Sequence, residues 1–361
     1  MEYYILRAIY MRKYILLFVL ILTISSCNQR RQVAENNLEI IETDLIVENE
    51  KIINLPPAGI TRDISWSDNS YYSDFNKYIL RNPVVDELIS ITDIERLEIH
   101  VSLTNYIEDF SFLENMDQLR DLRIFGLTGI RHDINLNFLK YLQTLETLWF
   151  SASTDVIDGL YFSNLLNLKD LQFTGRVHKI INLEHILNLP NLETLFFDVF
   201  EKIVIENISE KSQLLRLWIS SPQIDLAYIG SLLRLNNLRL SSDNIVNMNR
   251  INNPELETLR IDGYLQIPDR FTDRLLYIDW IQNLYHLNHF AVFRYDIYDV
   301  RPLLYLPNLE TVIFRFNTID VMPLLDSNSI RTIRLDLEYA KTIDTVIFRQ
   351  HGITIFGDIF D

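Results

Sequence analysis

The residue with the sharpest chemical potential is Cys27, the single cysteine in 361 residues. A thiolate could act as nucleophile, metal ligand or acceptor of a modifying group, but a lone thiol cannot close an internal disulfide. Histidine offers less. His286-Leu287-Asn288-His289 comes nearest to a paired ligand set, yet its second histidine falls on an alternating apolar phrase and its first on the turn before it. Such a pair would not share one helical face, as a His-Glu-x-x-His zinc site requires, so two unrelated surface histidines is the better reading. The nine glycines form no Gly-rich loop that could cradle a phosphate. Asp and Glu are abundant, 49 together, at the scattered spacing of a solvated surface. The Asn207-Ile208-Ser209 sequon has meaning only in a eukaryotic secretory pathway. The chain is therefore expected to be non-catalytic, with no cofactor and no metal.

What remains is the chemistry of recognition. Phe125, Trp149, Phe196, Trp218, Arg239 and Arg260 are the residue types that dominate interface hot spots. Whether they share a surface depends on the elements that carry them.

Those elements repeat. Leu-Glu-Thr-Leu occurs at Leu145 to Leu148, Leu192 to Leu195 and Leu256 to Leu259, and recurs as Leu309-Glu310-Thr311-Val312. Each copy opens one phrase: Leu, two variable residues, an aliphatic residue, one variable residue, an apolar residue. Its closing apolar pairs fall at Leu97/Ile99, Leu122/Ile124, Leu148/Phe150, Leu171/Phe173, Leu195/Phe197, Leu217/Ile219, Leu238/Leu240, Leu259/Ile261, Phe290/Val292, Val312/Phe314 and Ile333/Leu335. The steps between them are 25, 26, 23, 24, 22, 21, 21, 31, 22 and 21 residues. Alternation of apolar and variable positions predicts a short strand with one face inward and one toward solvent. Further apolar residues (Met116, Leu142, Leu165, Leu189, Leu232, Leu284, Leu306) lie three positions upstream and should pack the connecting segment against the strand. Leu189-Pro190-Asn191-Leu192 and Leu306-Pro307-Asn308-Leu309 read as turns into the strand, where proline precedes the ladder.

This phrase and period resemble the leucine-rich repeat, whose units run about 20–29 residues. The 21-residue units with Ile224, Ile245 or Ile319 ten positions after the first Leu are similar to the short, internalin-type repeats of bacterial surface proteins. The resemblance covers roughly residues 90–340. It implies an α/β fold: a right-handed, curved β/α superhelix with a parallel concave sheet. About eleven irregular repeats of 21–26 residues are expected, with one longer unit holding Tyr264 to Trp280. The family usually has Asn at the ninth position of the phrase, where its side chain ties successive turns into a ladder. Asn317 matches, whereas Leu127, Arg176, Phe200, Pro222 and Tyr264 do not; Ser102, Ser153 and Asp243 could substitute in part.

The repeat also assigns addresses. Between the marker residues, one outward column runs Glu98, Arg123, Trp149, Gln172, Phe196, Trp218, Arg239, Arg260, Ala291, Ile313, Arg334. The next runs His100, Phe125, Ser151, Thr174, Asp198, Ser220, Ser241, Asp262, Phe293, Arg315, Asp336. Phe125, Trp149, Phe196 and Trp218 thus gather on units two to six beside Arg239 and Arg260, a candidate ligand-binding strip. The competing account is that aromatics favour strands and pack on one another for stability alone.

The N-terminus predicts export. Arg12 and Lys13 precede a mostly apolar run, Tyr14 to Ile24, which is too short to span a bilayer and ends in Ile24-Ser25-Ser26-Cys27. This closely resembles the lipobox of bacterial lipoproteins, which implies lipidation of Cys27 and cleavage before it. A cleaved signal with a free cysteine and an uncleaved anchor remain alternatives, and Met11 is as plausible a start as Met1. The expected organisation is a signal peptide at 1–27, a polar acidic tether at 28–60, an N-terminal cap at 61–90, repeats at 91–340 and a C-terminal cap at 341–361. Asp74 to Leu80 reads as helical in the first cap, and Thr345 to Phe360 as one or two closing strands. Removing Arg7, Arg12, Lys13 and Glu2 with the signal would take the net charge from −16 to near −18. That argues against nucleic acid as a partner. Two functional readings follow. One is a lipid-anchored envelope protein, on the outer membrane or cell surface, that binds a protein or glycan on its concave face, adhesion being one version. The other is a structural or assembly scaffold within the periplasm.

Overall fold

The computed structural model describes residues 77–81, 94–100, 110–127, 135–152, 154–208, 212–264, 275–315, 319–336 and 340–358. Cys27, the segment 28–60, Ser102, Ser153, Asn317 and the middle of the long unit lie outside them.

Thirteen strands follow one another along a single parallel path among the described residues. They are β1 (Lys77–Arg81), β2 (Arg96–His100), β3 (Asp121–Leu127), β4 (Thr147–Ala152), β5 (Asp170–Ile181), β6 (Thr194–Val199) and β7 (Arg216–Ser220). Then come β8 (Asn237–Ser241), β9 (Thr258–Asp262), β10 (His289–Phe293), β11 (Thr311–Arg315), β12 (Thr332–Asp336) and β13 (Thr354–Asp358). The strand Thr154–Asp158 pairs beside β5, off this path.

The register is the one the repeat predicts. Leu97, Leu122, Leu148, Leu171, Leu195, Leu217, Leu238, Leu259, Phe290, Val312 and Ile333 stand side by side. Every marker residue from Leu97 to Leu335 is at most 2 % exposed. Removing that many side chains from water is the main stabilising term, at about 25 cal/mol per Å² of apolar area. The upstream set Met116, Leu142, Leu165, Leu189, Leu232, Leu284 and Leu306 is buried with it. Most connecting segments return through one turn of 3-10 helix, such as Leu136–Tyr141, Asp279–Asn283 and Arg301–Tyr305. A tight i→i+3 turn suits segments with only a few residues in which to reverse direction. Apart from the main sheet, Ile203–Val204, Gln223–Asp225 and Asn244–Val246 form a small parallel ladder, which brings Ile224 beside Ile245.

The turn ladders differ from the family pattern. At the phrase's eighth position, one earlier than expected, Ser221 donates its hydroxyl to Glu201 O at 2.7 Å and Ser242 donates to Pro222 O at 3.1 Å. Asp243 does substitute at the ninth position, accepting from the Tyr264 N–H at 3.1 Å. A second ladder precedes the strand. Asn167, Asn191 and Asn308 each donate to a carbonyl of the preceding unit, those of Gln143, Leu166 and Tyr285, at 2.7–2.9 Å. Each bond satisfies a carbonyl that a turn would otherwise leave open.

Two terminal expectations are corrected. Residues 77–81, part of the segment read as helical, form strand β1 in register with β2. An adjacent open strand edge outweighs the weak helical pattern there. At the other end, where Thr345 to Phe360 read as one or two closing strands, one strand forms, but the first part of the segment does not join it. Thr345–Gln350 is a helix, α2, and only Thr354–Asp358 is strand. Asp344 caps the helix by accepting from the Val346 N–H, and Gly352 ends it at φ 75° with the Ile353 N–H returning to Phe348 O. These caps decide the segment, whereas alternation alone suggested strand. The other helix, α1 (Leu183–Leu187), lies in a connection.

Candidate functional site

The in-register strands set the first outward column in rungs, with Trp149, Gln172, Phe196, Trp218, Arg239, Arg260 and Ala291 as successive lateral partners. Adjacent rungs are about 4.8 Å apart, so neighbouring side chains must touch. They do so in two groups. In the first, Phe125 meets Trp149 edge-on with centroids 5.1 Å apart, and the Arg123 guanidinium lies 5.7 Å from the Trp149 ring. The Trp149 indole N–H donates to the Thr174 hydroxyl at 2.9 Å. The run then breaks at Gln172, whose amide turns to Asp170 on its own strand. Burial raises the Asp170 pKa, while that hydrogen bond and the charges of Arg216 and Arg123 hold it down.

The second group is continuous across six strands, β6 to β11. Phe196 packs edge-on against Trp218 at 4.4 Å, and the Arg239 guanidinium lies over the Trp218 ring at 3.6 Å. Arg239 Nε donates to Asp262 at 3.0 Å, and Arg260 Nε donates to both oxygens of the same carboxylate at 2.9 and 3.1 Å. Arg260 in turn covers Phe293 at 4.1 Å, and the Arg315 guanidinium lies 5.7 Å from the same ring. Cation–π contacts of this kind contribute about 0.5–2 kcal/mol each, more where water is excluded. Burial lowers the Arg239 pKa, with Asp262 opposing and Arg260 adding to the effect. The indole N–H of Trp218 is buried and has no hydrogen-bond partner among the described residues.

The sheet is not smooth here. A hollow of about 640 Å³ has Trp149, Phe196, Trp218, Arg239 and Arg260 in its wall, five of the six residues singled out from the sequence. A neighbouring hollow of about 340 Å³ lies over Trp218, Arg239, Arg260, Asp262 and Phe293. Phe125 lines neither hollow and packs on Trp149 of the first group. The sequence selection passed over Asp262 and Phe293. Their signal was available: both belong to the second outward column, where a side chain can reach across to the first-column arginine of the preceding strand. Asp262 and Phe293 are 4 and 6 % exposed, which makes them the floor of the strip, with the arginines as its walls.

His286 and His289 are both exposed, and His289 pairs with its neighbour Asn288. No group of three metal-ligating side chains comes together among the described residues.

No protein-family model matches the chain, and no curated protein matches it. Solved structures do resemble it. An internalin of Listeria monocytogenes is 20 % identical over 72 % of this chain and 86 % of its own, with a TM-score of 0.46. A leucine-rich-repeat protein of Leptospira interrogans is 17 % identical over 75 % of this chain and 68 % of its own, with a TM-score of 0.55. At such identities the likeness concerns the fold. With one parallel strand per repeat and leucine at the inward positions, the described fold is a leucine-rich-repeat solenoid.

Proposed function

We propose that this chain is a lipid-anchored, non-catalytic binding protein of a bacterial cell envelope, recognising a protein ligand on the concave face of its sheet through Phe125, Trp149, Phe196, Trp218, Arg239 and Arg260. The observation that carries the reading is Trp218. Phenylalanine at this position could keep the contacts with Phe196 and Arg239 without burying an indole N–H that has no partner among the described residues, a cost of about 1–3 kcal/mol. A ring kept only for stability has no use for that donor. The half-exposed aromatic and arginine side chains on either side are the types that anchor protein interfaces.

Anchorage rests on the sequence: Cys27 directly follows Tyr14 to Ile24, and acylation there would attach the protein to an envelope membrane, the outer membrane or cell surface being the site we favour. No helix among the described residues is long and apolar enough to cross a membrane. Residues 28–60 would then serve as a tether, 61–90 and 341–361 as caps, and 91–340 as the binding solenoid.

The test pairs the full-length protein with a Trp149→Ala/Trp218→Ala double variant in partner capture from envelope and host-cell extracts. Both should melt cooperatively, because the rings are only half buried. The variant should lose its partner by roughly 30-fold or more, the consequence of removing about 2 kcal/mol of hot-spot contact. Equal recovery by both proteins refutes the concave site, recovery of none favours an envelope scaffold, and capture of an oligosaccharide reassigns the ligand to a glycan. Labelled palmitate should enter the wild type and be absent from Cys27→Ser.

A further inference from the structure

The smaller hollow carries its own electrostatic signature. Its wall holds four arginines (Arg239, Arg260, Arg294 and Arg315) against two aspartates, Asp198 and Asp262, on a chain whose net charge is −16. Asp262 neutralises only one of the two guanidiniums that grip it. Both use Nε for that purpose, and the terminal Nη amines of Arg239 and Arg260 make no hydrogen bond among the described residues. Each guanidinium is also held over a ring, that of Arg239 over Trp218 at 3.6 Å and that of Arg260 over Phe293 at 4.1 Å. Two arginines have thus been oriented in advance, with their forked ends left open. That geometry matches a carboxylate, which takes two parallel N–H bonds from such a fork.

From this, and resting on the concave-face reading, we infer that the hollow receives an Asp or Glu side chain of the protein ligand, clamped between Arg239 and Arg260 and flanked by apolar side chains on the Phe196–Trp218 side. The hollow's volume of about 340 Å³ suits one or two side chains. From β7 to β10 is three strand spacings, about 14 Å, which roughly four residues of extended peptide would cross. A sugar is the poorer fit. Aromatic sites hold sugars by stacking on an open ring face, and the Trp218 face is already covered by Arg239.

The experiment selects a phage library of random twelve-residue peptides on the full-length protein, then measures affinities of the recovered peptides. The inference predicts enrichment of Asp or Glu within two or three positions of an aromatic or aliphatic residue. Replacing that acid by its amide should weaken binding at least tenfold. Arg260→Gln and Arg239→Gln, each leaving the other arginine on Asp262 so that the protein still folds, should each lower affinity about tenfold and erase the preference for acid over amide. Recovery of neutral or basic peptides, of none, or of acidic peptides that bind both variants as tightly as the wild type overturns the inference. So does selective binding of a sulfated oligosaccharide in place of peptide. If these results come with a partner that the Trp149/Trp218 variant still fails to capture, the concave site stands and only the carboxylate clamp fails. If that variant captures normally, both readings fail.

Discussion

Asp262 should be the keystone of the strip, and its removal is the most informative single perturbation. Its side chain is 6 % exposed, while those of Arg239 and Arg260 are 27 and 34 % exposed. The carboxylate accepts three hydrogen bonds from two cations, at 2.9–3.1 Å. The Arg260 N–H is shared between the two oxygens, so two charge-assisted donors at about 1.5–3 kcal/mol each would give about 3–6 kcal/mol for the set. Breaking a buried pair by deleting one partner costs about 3–5 kcal/mol, because the other charge is left uncompensated. Here the stranded arginines are a quarter to a third exposed and can regain water, which brings the expected loss for Asp262→Ala to about 3 kcal/mol. With an m-value near 3 kcal/mol/M in urea for a domain of this size, the midpoint should fall by about 1 M. Asp262→Asn keeps one acceptor oxygen and should lose about half as much. In a double-mutant cycle with Arg260→Met the two sites should couple by about 1 kcal/mol or more. Urea unfolding followed by tryptophan fluorescence reads all three. A midpoint within about 0.2 M of the wild type for Asp262→Ala would refute the reasoning and mark the arginines as ordinary surface cations.

Two further outcomes are expected. Asp170 has a folded pKa raised by burial, so the folded state holds that proton more tightly than the unfolded chain does. Its stabilising contribution is present below the unfolded pKa of about 3.9 and is lost as pH rises through the folded value, leaving a net cost at neutral pH. Asp170→Asn should therefore melt at or above the wild-type temperature at pH 7, with the gap closing on acidification toward about pH 3; a wild-type advantage that grows with pH would reverse the sign. Gly159 is buried, and a Cβ there would lie 2.0 Å from the backbone oxygen of Asn182. Gly159→Ala should cost about 3 kcal/mol, since backbone cannot yield as a flexible side chain would. Circular-dichroism melting that shows no loss would mean the connection can shift at little cost.

How far the site was legible can be followed residue by residue. Trp149, Phe196, Trp218, Arg239 and Arg260 could be placed on one face because an alternating strand phrase repeats in fixed register. Phe125 packs on Trp149 and lines neither hollow. Asp262 and Phe293 belong to the second outward column, yet nothing in the sequence ranks them. Their importance arises from a diagonal reach between strands 23 and 33 residues apart along the chain. The turn serines Ser221 and Ser242 escaped notice because they occupy the position beside the one where the family carries its ladder residue.

The sequence by itself determined the repeat, the inward and outward faces, and the lateral register of Leu97 through Ile333. Burial of a leucine every 21 to 31 residues permits only one alignment, since a one-residue slip would turn every inward side chain to water. Tertiary structure alone decided which outward neighbours bond. Side-chain reach across rungs about 4.8 Å apart depends on rotamer and burial, which no linear spacing encodes. It also decided the ends. There the pattern is short and the periodic signal weak, so an open strand edge made β1 from a segment that read as helical, and an Asp cap with a left-handed glycine made α2 from one that read as strand.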